Sequence, residues 1–307
     1  FIPPVRPKIP PGGGNPIDAF VRQRLAEAKS SLSPEADRNT LLRRLSFDLT
    51  GLPPTPEELD AFLGDHEPGA YERQVARLFA SSRYGEHMAA SWLDLARYSD
   101  SNGYLQDVRR TGWPWRDWVI EAYNRDMPFD EFVVEQLAGD LLPDAKPTQI
   151  LATAFLRNHP ITVEGGTLAA EYLNEYAADR VETVGTVFLG LGFSCCRCHD
   201  HKFDALPQAD FYSLLSYFNS STEEHSDGGG TAPAYKPFIE IASPLNPDGE
   251  KVGVMVMDEG ETPRPTFVLT RGQYDQPDES RPVTRRLPGV LGAPLKGAAE
   301  NRLGLAH

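Results

Sequence analysis

Residues 169–199 read AAEYLNEYAADRVETVGTVFLGLGFSCCRCH. Apolar positions Tyr172, Tyr176, Val181, Val184, Val187 and Phe188 recur at helical spacing, which predicts one long helix from Ala169 to Leu191. That helix delivers the chain to Cys195, Cys196 and Cys198, with His199 directly after them. Cys195, Cys198 and His199 form the string Cys-x-x-Cys-His, the pattern that attaches a c-type haem. Two thiols three positions apart can each form a thioether to a haem vinyl group, and the adjacent imidazole can ligate the iron. A zinc site using Cys195, Cys198 and either His199 or His201 is the competing reading, but zinc usually takes a second ligand pair. The chain has no cysteine outside 195, 196 and 198 to supply one. Cys196 is a spare thiol, expected to be a small buried residue.

Outward from this stretch the pattern is helical on the N-terminal side. Amphipathic or capped runs are expected at 16–29, 34–49, 56 onward, 71–81, 84–98, 113–124, 129–141 and 148–156. Thr55-Pro56-Glu57-Glu58 is the clearest start signal: a hydroxyl at the N-cap, proline at the first helical position, and acids in the first turn. Gln208 to Phe218 is the last strong helix. Residues 1–15, with many prolines and three consecutive glycines, read as an extended arm. The character changes again near Ser220. Gly228-Gly229-Gly230 opens a proline-rich region with short β-like runs at 238–242, 253–257 and 266–269. Tyr274 to Lys296 has few periodic apolar positions and is expected to lie against something else. The expected fold is therefore mainly α: an extended arm (1–15), a helical c-type haem domain (16–220), and an extended, β-containing tail (221–307).

Composition limits the function classes. The 307 residues are 40% hydrophobic, enough for a real core, and carry a net charge of −14 from 44 acids against 30 bases. Such a surface disfavours broad contact with nucleic-acid phosphates or an anionic membrane. No apolar run is long enough to span a bilayer. Haem attachment to Cys-x-x-Cys-His is normally completed outside the cytoplasm, so a periplasmic or otherwise exported setting is expected.

A haem iron held by His199 has a sixth position. The candidates for it are His87, His159, His201, Met88 and Met127. His159 is favoured as distal ligand or acid–base group, because its polar loop also holds Asn158, Thr162 and Glu164 and precedes the long helix. A histidine that merely packs or caps that loop is the alternative. Arg97, Tyr98 and Asp100, at the end of the helix that begins near Tyr84, are candidates for a polar wall around a haem pocket or a sugar. The alternative for them is a buried salt bridge and a capped helix end. Trp115 and Trp118 share a helical face and are expected in the core.

Several strings together resemble the planctomycete cytochrome-associated family, in which a helical domain of unknown function precedes a second such domain. They are Asn15-Pro-Ile-Asp-Ala-Phe, Arg43-Arg-Leu-Ser-Phe-Asp-Leu-Thr-Gly-Leu-Pro-Pro-Thr-Pro, Trp92-Leu-Asp-Leu-Ala-Arg-Tyr-Ser-Asp-Ser-Asn-Gly-Tyr, Asn124-Arg-Asp-Met-Pro-Phe-Asp, Gln136-Leu-Ala-Gly-Asp-Leu-Leu-Pro, Arg157-Asn-His and Cys198-His-Asp-His-Lys-Phe-Asp. The strings at 264–277 and 301–306 look like the entry into the second domain, so 221–307 is expected to be a linker and the start of that domain. Two departures from the family are Cys196, where a small residue is usual, and Ala205, where proline is usual. The resemblance implies an exported, haem-associated protein from organisms rich in polysaccharide-degrading systems. Two functions are expected to compete: a haem-dependent oxidoreductase acting on carbohydrate or another polar metabolite, and a non-enzymatic electron-transfer or scaffold module. Expected partners are the remainder of a longer polypeptide or a second chain, a carbohydrate and a redox partner.

Overall fold

Polar side chains start the helices at the positions where the sequence offers them. Thr55 caps α3 (Pro56–Gly64): its hydroxyl accepts from the Glu58 amide, and the Glu58 carboxylate accepts from the Thr55 amide. Asp37 caps α2 (Arg38–Thr50) by accepting from the Thr40 amide and hydroxyl, and Asn15 caps α1 (Pro16–Glu27) by accepting from the Ile17 amide. The computed structural model describes residues 2, 4–12, 14–225, 234–292 and 295–307. The glycine run at 228–230, and positions 1, 3 and 13 of the arm, lie outside the described residues. The described part of the arm forms no helix or strand.

The chain divides into two compact units, Phe1–Arg77 and Leu78–His307, with α4 (Ala70–Phe79) straddling the division. In the first unit a small core gathers Leu42, Phe62 and Ala70, with Leu59 against them. The Arg38 guanidinium lies 4.1 Å over the Phe62 ring and donates to the Phe62 and Asp65 carbonyls, tying α2 to the end of α3. Helix α1 forms as expected, yet Ile17, Phe20 and Val21 on its apolar side are exposed.

The second unit holds α5 (Ser82–Leu95), α6 (Trp113–Asn124), α7 (Phe129–Ala138), α8 (Pro147–Ala152), α9 (Ala169–Val187), α10 (Gln208–Phe218) and a short α11 (Arg302–Ala306). Helices α5 and α6 approach closely at Gly85, where an added Cβ would lie 2.4 Å from the Ile120 carbonyl oxygen. The core is aromatic: Trp92, Trp115, Trp118, Phe132 and Phe155 are all buried together, Trp118 stacking on Phe132 at 5.4 Å. Helix α10 is buried along its whole length, as its near-continuous apolar sequence requires.

Two antiparallel hairpins follow. β1 (Phe238–Ile241) pairs with β2 (Val252–Met255), and β3 (Thr266–Leu269) pairs with β4 (Pro277–Val283). Val254, Met257, Val268 and Leu269 enter the same buried cluster as the helices, so the hairpins rest on the helical body. β4 falls in the stretch with little apolar periodicity. It forms by backbone pairing to β3, and its Pro277 occupies the first position of the strand, where a missing N–H is tolerated. The mainly α architecture with a β-containing tail is thus the observed fold.

Candidate functional site

Helix α9 stops at Val187, short of Leu191, because the chain folds back on itself at two glycines. Leu191 N donates to the Gly185 carbonyl, and Gly190 takes a positive φ of 63°. A Cβ at Gly185 would lie 2.4 Å from the Phe193 ring, so this glycine makes room for the residue that leads into the cysteines. Ser194–Arg197 then forms a 3-10 turn, in which side chains three apart eclipse one another. That puts Cys195 and Cys198 on one side of the turn. Both are exposed, while Cys196 is fully buried, its sulfur 3.3 Å from the Leu206 carbonyl and its thiol pushed up to about 11 by burial.

The turn is fastened from below. The Arg197 carbonyl accepts from Tyr212 Oη at 2.7 Å and Gln208 Nε2 at 3.3 Å, and the Asp200 carboxylate accepts from the Gln208 amide at 2.7 Å. Arg197 forms a bidentate pair with Glu175 of α9. Cys198 Sγ lies 3.3 Å from the Arg271 carbonyl and packs against Gly272, whose φ is 73°. His199 Nδ1 lies 2.7 Å from the Asp200 carbonyl oxygen. A carbonyl only accepts, so the proton sits on Nδ1 and Nε2 carries the lone pair, the arrangement a ligating imidazole needs. His201 differs: its Nδ1 accepts from the Phe203 and Asp204 amides, which makes it the cap of the 201–204 turn. Among the described residues no group of three or more His, Cys, Asp or Glu side chains converges as a metal ion would require.

His159 lies in the core, 1% exposed, with its ring stacked on Tyr176 at 4.4 Å. Its Nδ1 is 3.0 Å from the Pro160 carbonyl oxygen and its Nε2 is 2.8 Å from Arg180 Nη2, which only donates. Nε2 also lies 3.3 Å from Glu223 Oε1, but the Arg180 donor is closer, so these contacts favour the neutral ring with its proton on Nδ1. Burial lowers its pKa in the same direction, and nearby Arg180 adds to this against the opposing pull of Glu223. Glu223, also buried, pairs with Arg180 at 2.5 Å and Arg157 at 3.1 Å. Burial alone would raise the Glu223 carboxyl, but the two guanidiniums outweigh it and hold the pKa well below the usual range. Arg110 underlies the loop, donating to the carbonyls of Arg157, Asn158 and His159 in turn.

The two parts meet at a cavity of about 200 Å³. Its wall includes Tyr104, His159, Glu175, Asp179, Glu182 and Arg197. Asp179 is held by a bidentate pair with Arg97, whose guanidinium also reaches Thr183. Tyr98 and Asp100 stand elsewhere: the Tyr98 hydroxyl donates to Asp100 at 2.5 Å, and its ring stacks on Trp115. Neither lines this cavity. The sequence did not single out Glu175, Asp179, Glu182 or Glu223. For the first three a signal existed, because 175, 179 and 182 share one face of a helix.

The family model that matches the chain over residues 16–223 is PSCyt2, described as "Protein of unknown function (DUF1549)". The chain belongs to the PSCyt2 family. The PSCyt2 match takes in the cysteine turn, His159, Arg180 and Glu223, so the site lies within the part the family shares. No curated protein and no solved structure matches the chain. Among the described residues, no helix is long and apolar enough to cross a membrane.

Proposed function

We propose that this chain is an exported c-type haem protein, acting as a haem-dependent oxidoreductase on a carbohydrate or a similar polyhydroxylated metabolite. The observation that carries the reading is Arg197: it stands between the two cysteines of the motif and also lines the polar cavity. Cys195, Cys198 and His199 would hold the haem. The fit is good at Cys195, which is exposed, and at His199, whose Nδ1 proton is already placed on a carbonyl. Cys198 would have to leave the Arg271 carbonyl to be alkylated. When bound, the haem would supply one-electron redox chemistry.

The chain's own residues supply binding and order. Glu182 and the Glu175–Arg197 and Asp179–Arg97 pairs present acceptors and donors to hydroxyl groups, and the Tyr104 ring, partly exposed at the wall, offers an apolar face to a sugar. His159 serves here as a positioning group rather than an iron ligand or an acid–base group, since both of its nitrogens are engaged inside the core. The partners that follow are a carbohydrate, a redox partner, and the remainder of a longer polypeptide or a second chain.

A second reading, electron transfer without substrate, is favoured by one observation: Cys195 and His199 are exposed, as is Phe203 four positions further on, at 83%. A haem there would lie at the surface, where a redox partner can reach it. Expression with haem-maturation machinery followed by acid–acetone extraction tests both. Haem that stays on the polypeptide, and is lost from the Cys195→Ala, Cys198→Ala double variant, is the expected outcome. A colourless protein of unmodified mass overturns the haem reading. Rapid binding of carbon monoxide favours the oxidoreductase, and resistance to it favours the electron carrier.

A further inference from the structure

The buried charges around the 157–159 loop do not balance. Arg110, Arg157 and Arg180 are 6%, 2% and 2% exposed, and the carboxylate that contacts this group from within the core is Glu223. With His159 neutral, three guanidiniums stand against one carboxylate. Glu223 lies on the Arg180 side, where it is shared between Arg157 and Arg180. On the other side Arg157 and Arg110 line the same crevice, and burial pulls each guanidinium down to about 10, with Arg157 adding repulsion at Arg110 and Arg180 adding it at Arg157 against the pull of Glu223. The Asp100 carboxylate helps Arg110 from farther out, but it is exposed and accepts from Tyr98. A buried charge without a counter-charge is costly, so the fold calls for a negative partner on this side.

A crevice of about 10 Å³ lies there, next to Arg110, Arg157, Asn158, Thr111, Trp115 and Met255. That is the lower limit of room for one water-sized species and too little for phosphate, sulfate or a carboxylate. Its residues include two guanidiniums and no carboxylate. Two buried donors on them lack a hydrogen-bond partner among the described residues: Arg157 Nε and Asn158 Nδ2. Both side chains are more than nine-tenths buried. A water would satisfy the donors but leave the charge; a monatomic anion does both.

We propose that this crevice is a halide site, taking a single chloride ion between Arg110, Arg157 and Asn158. The ion completes the packing of the loop whose three carbonyls Arg110 holds, and so fixes the backbone that carries His159. The inference is independent of the haem.

Thermal unfolding of the full chain in sodium chloride and in sodium gluconate at matched ionic strength tests it. The midpoint should rise with chloride and not with gluconate. Above its Kd, each tenfold increase in chloride should raise the folded-to-unfolded ratio about tenfold. Asn158→Asp supplies a fixed negative charge at the same place and should abolish the chloride response. A wild-type protein indifferent to chloride overturns the proposal and leaves a water in the crevice. An equal response in wild type and variant also overturns it, since that marks general salt action. Should the variant fail to fold, bromide NMR on the wild type decides: broadening of the bromide line that chloride reverses supports the site, and an unbroadened line rejects it.

Discussion

Replacing Glu223 with glutamine keeps the shape of the side chain and removes its charge. The side chain is 3% exposed and touches Arg157 at 3.1 Å and Arg180 at 2.5 Å, themselves 1% and 2% exposed. The substitution leaves both guanidiniums buried with no carboxylate in contact. Breaking a buried pair by removing one partner costs about 3–5 kcal/mol. For a unit of this size, residues 78–307, that corresponds to a fall in Tm of roughly 6–20 °C, at about 2–4 °C per kcal/mol. Circular dichroism melts at pH 7 read it directly. A second arm uses acid. The Glu223 carboxyl has a lower pKa folded than its usual 4.5, so the stability it contributes is fully present above that value and is lost as the pH falls through the folded one. The gap between wild type and Glu223→Gln should stay constant above about pH 5 and narrow by about 1.4 kcal/mol per pH unit below about 4.5. A loss of less than about 1 kcal/mol at pH 7, well under the buried-pair range, or a gap unchanged by acid, would refute the assignment of Glu223 as the charge that holds this network.

Gly185→Ala drives a methyl into the Phe193 ring, which is fully buried. It should lower stability by about 1–3 kcal/mol in urea and speed alkylation of the buried Cys196 thiol, an effect that a variant elsewhere in α9 would not share. Arg302 is 1% exposed and joins α11 to Asp140 and the Leu137 carbonyl. Arg302→Ala should cost about 3–5 kcal/mol and raise hydrogen exchange in residues 302–306 and 137–141 above the rest of the core.

The helices were legible because their signals are local. Thr55-Pro-Glu-Glu carries its own cap within four residues, and the apolar positions of α9 repeat at a spacing no strand would use. The burial of Trp115 and Trp118 followed from their shared face. Helix α9 ends four residues before its periodicity predicts, although Val187 to Leu191 is apolar enough to continue a helix. What stops it is a backbone bond to Gly185 and the left-handed Gly190. β4 escaped notice for a different reason: strand pairing satisfies backbone groups, which leave no trace in side-chain periodicity. The site divides along the same line. Cys195, Cys198 and His199 are adjacent and announce themselves. Glu223 is one acid in a polar string after the last strong helix, and its partners lie 43 or more residues away in the chain. Only folding brings them together.

The contact between Cys198 and the Arg271 carbonyl also has a dimension in time. The two residues are separated by 73 positions. Synthesis proceeds from the N-terminus at about 5–20 residues per second, so the cysteine turn emerges roughly 4–15 s before the segment whose carbonyl contacts its second thiol. During that interval both sulfurs face solvent on one side of a nascent turn. Once the β3–β4 hairpin docks, one of them is tied to a backbone carbonyl and the other is not, though both remain exposed. Chemistry at both thiols therefore meets no competing carbonyl contact until that hairpin arrives, and slowing its arrival lengthens the interval without altering the finished protein.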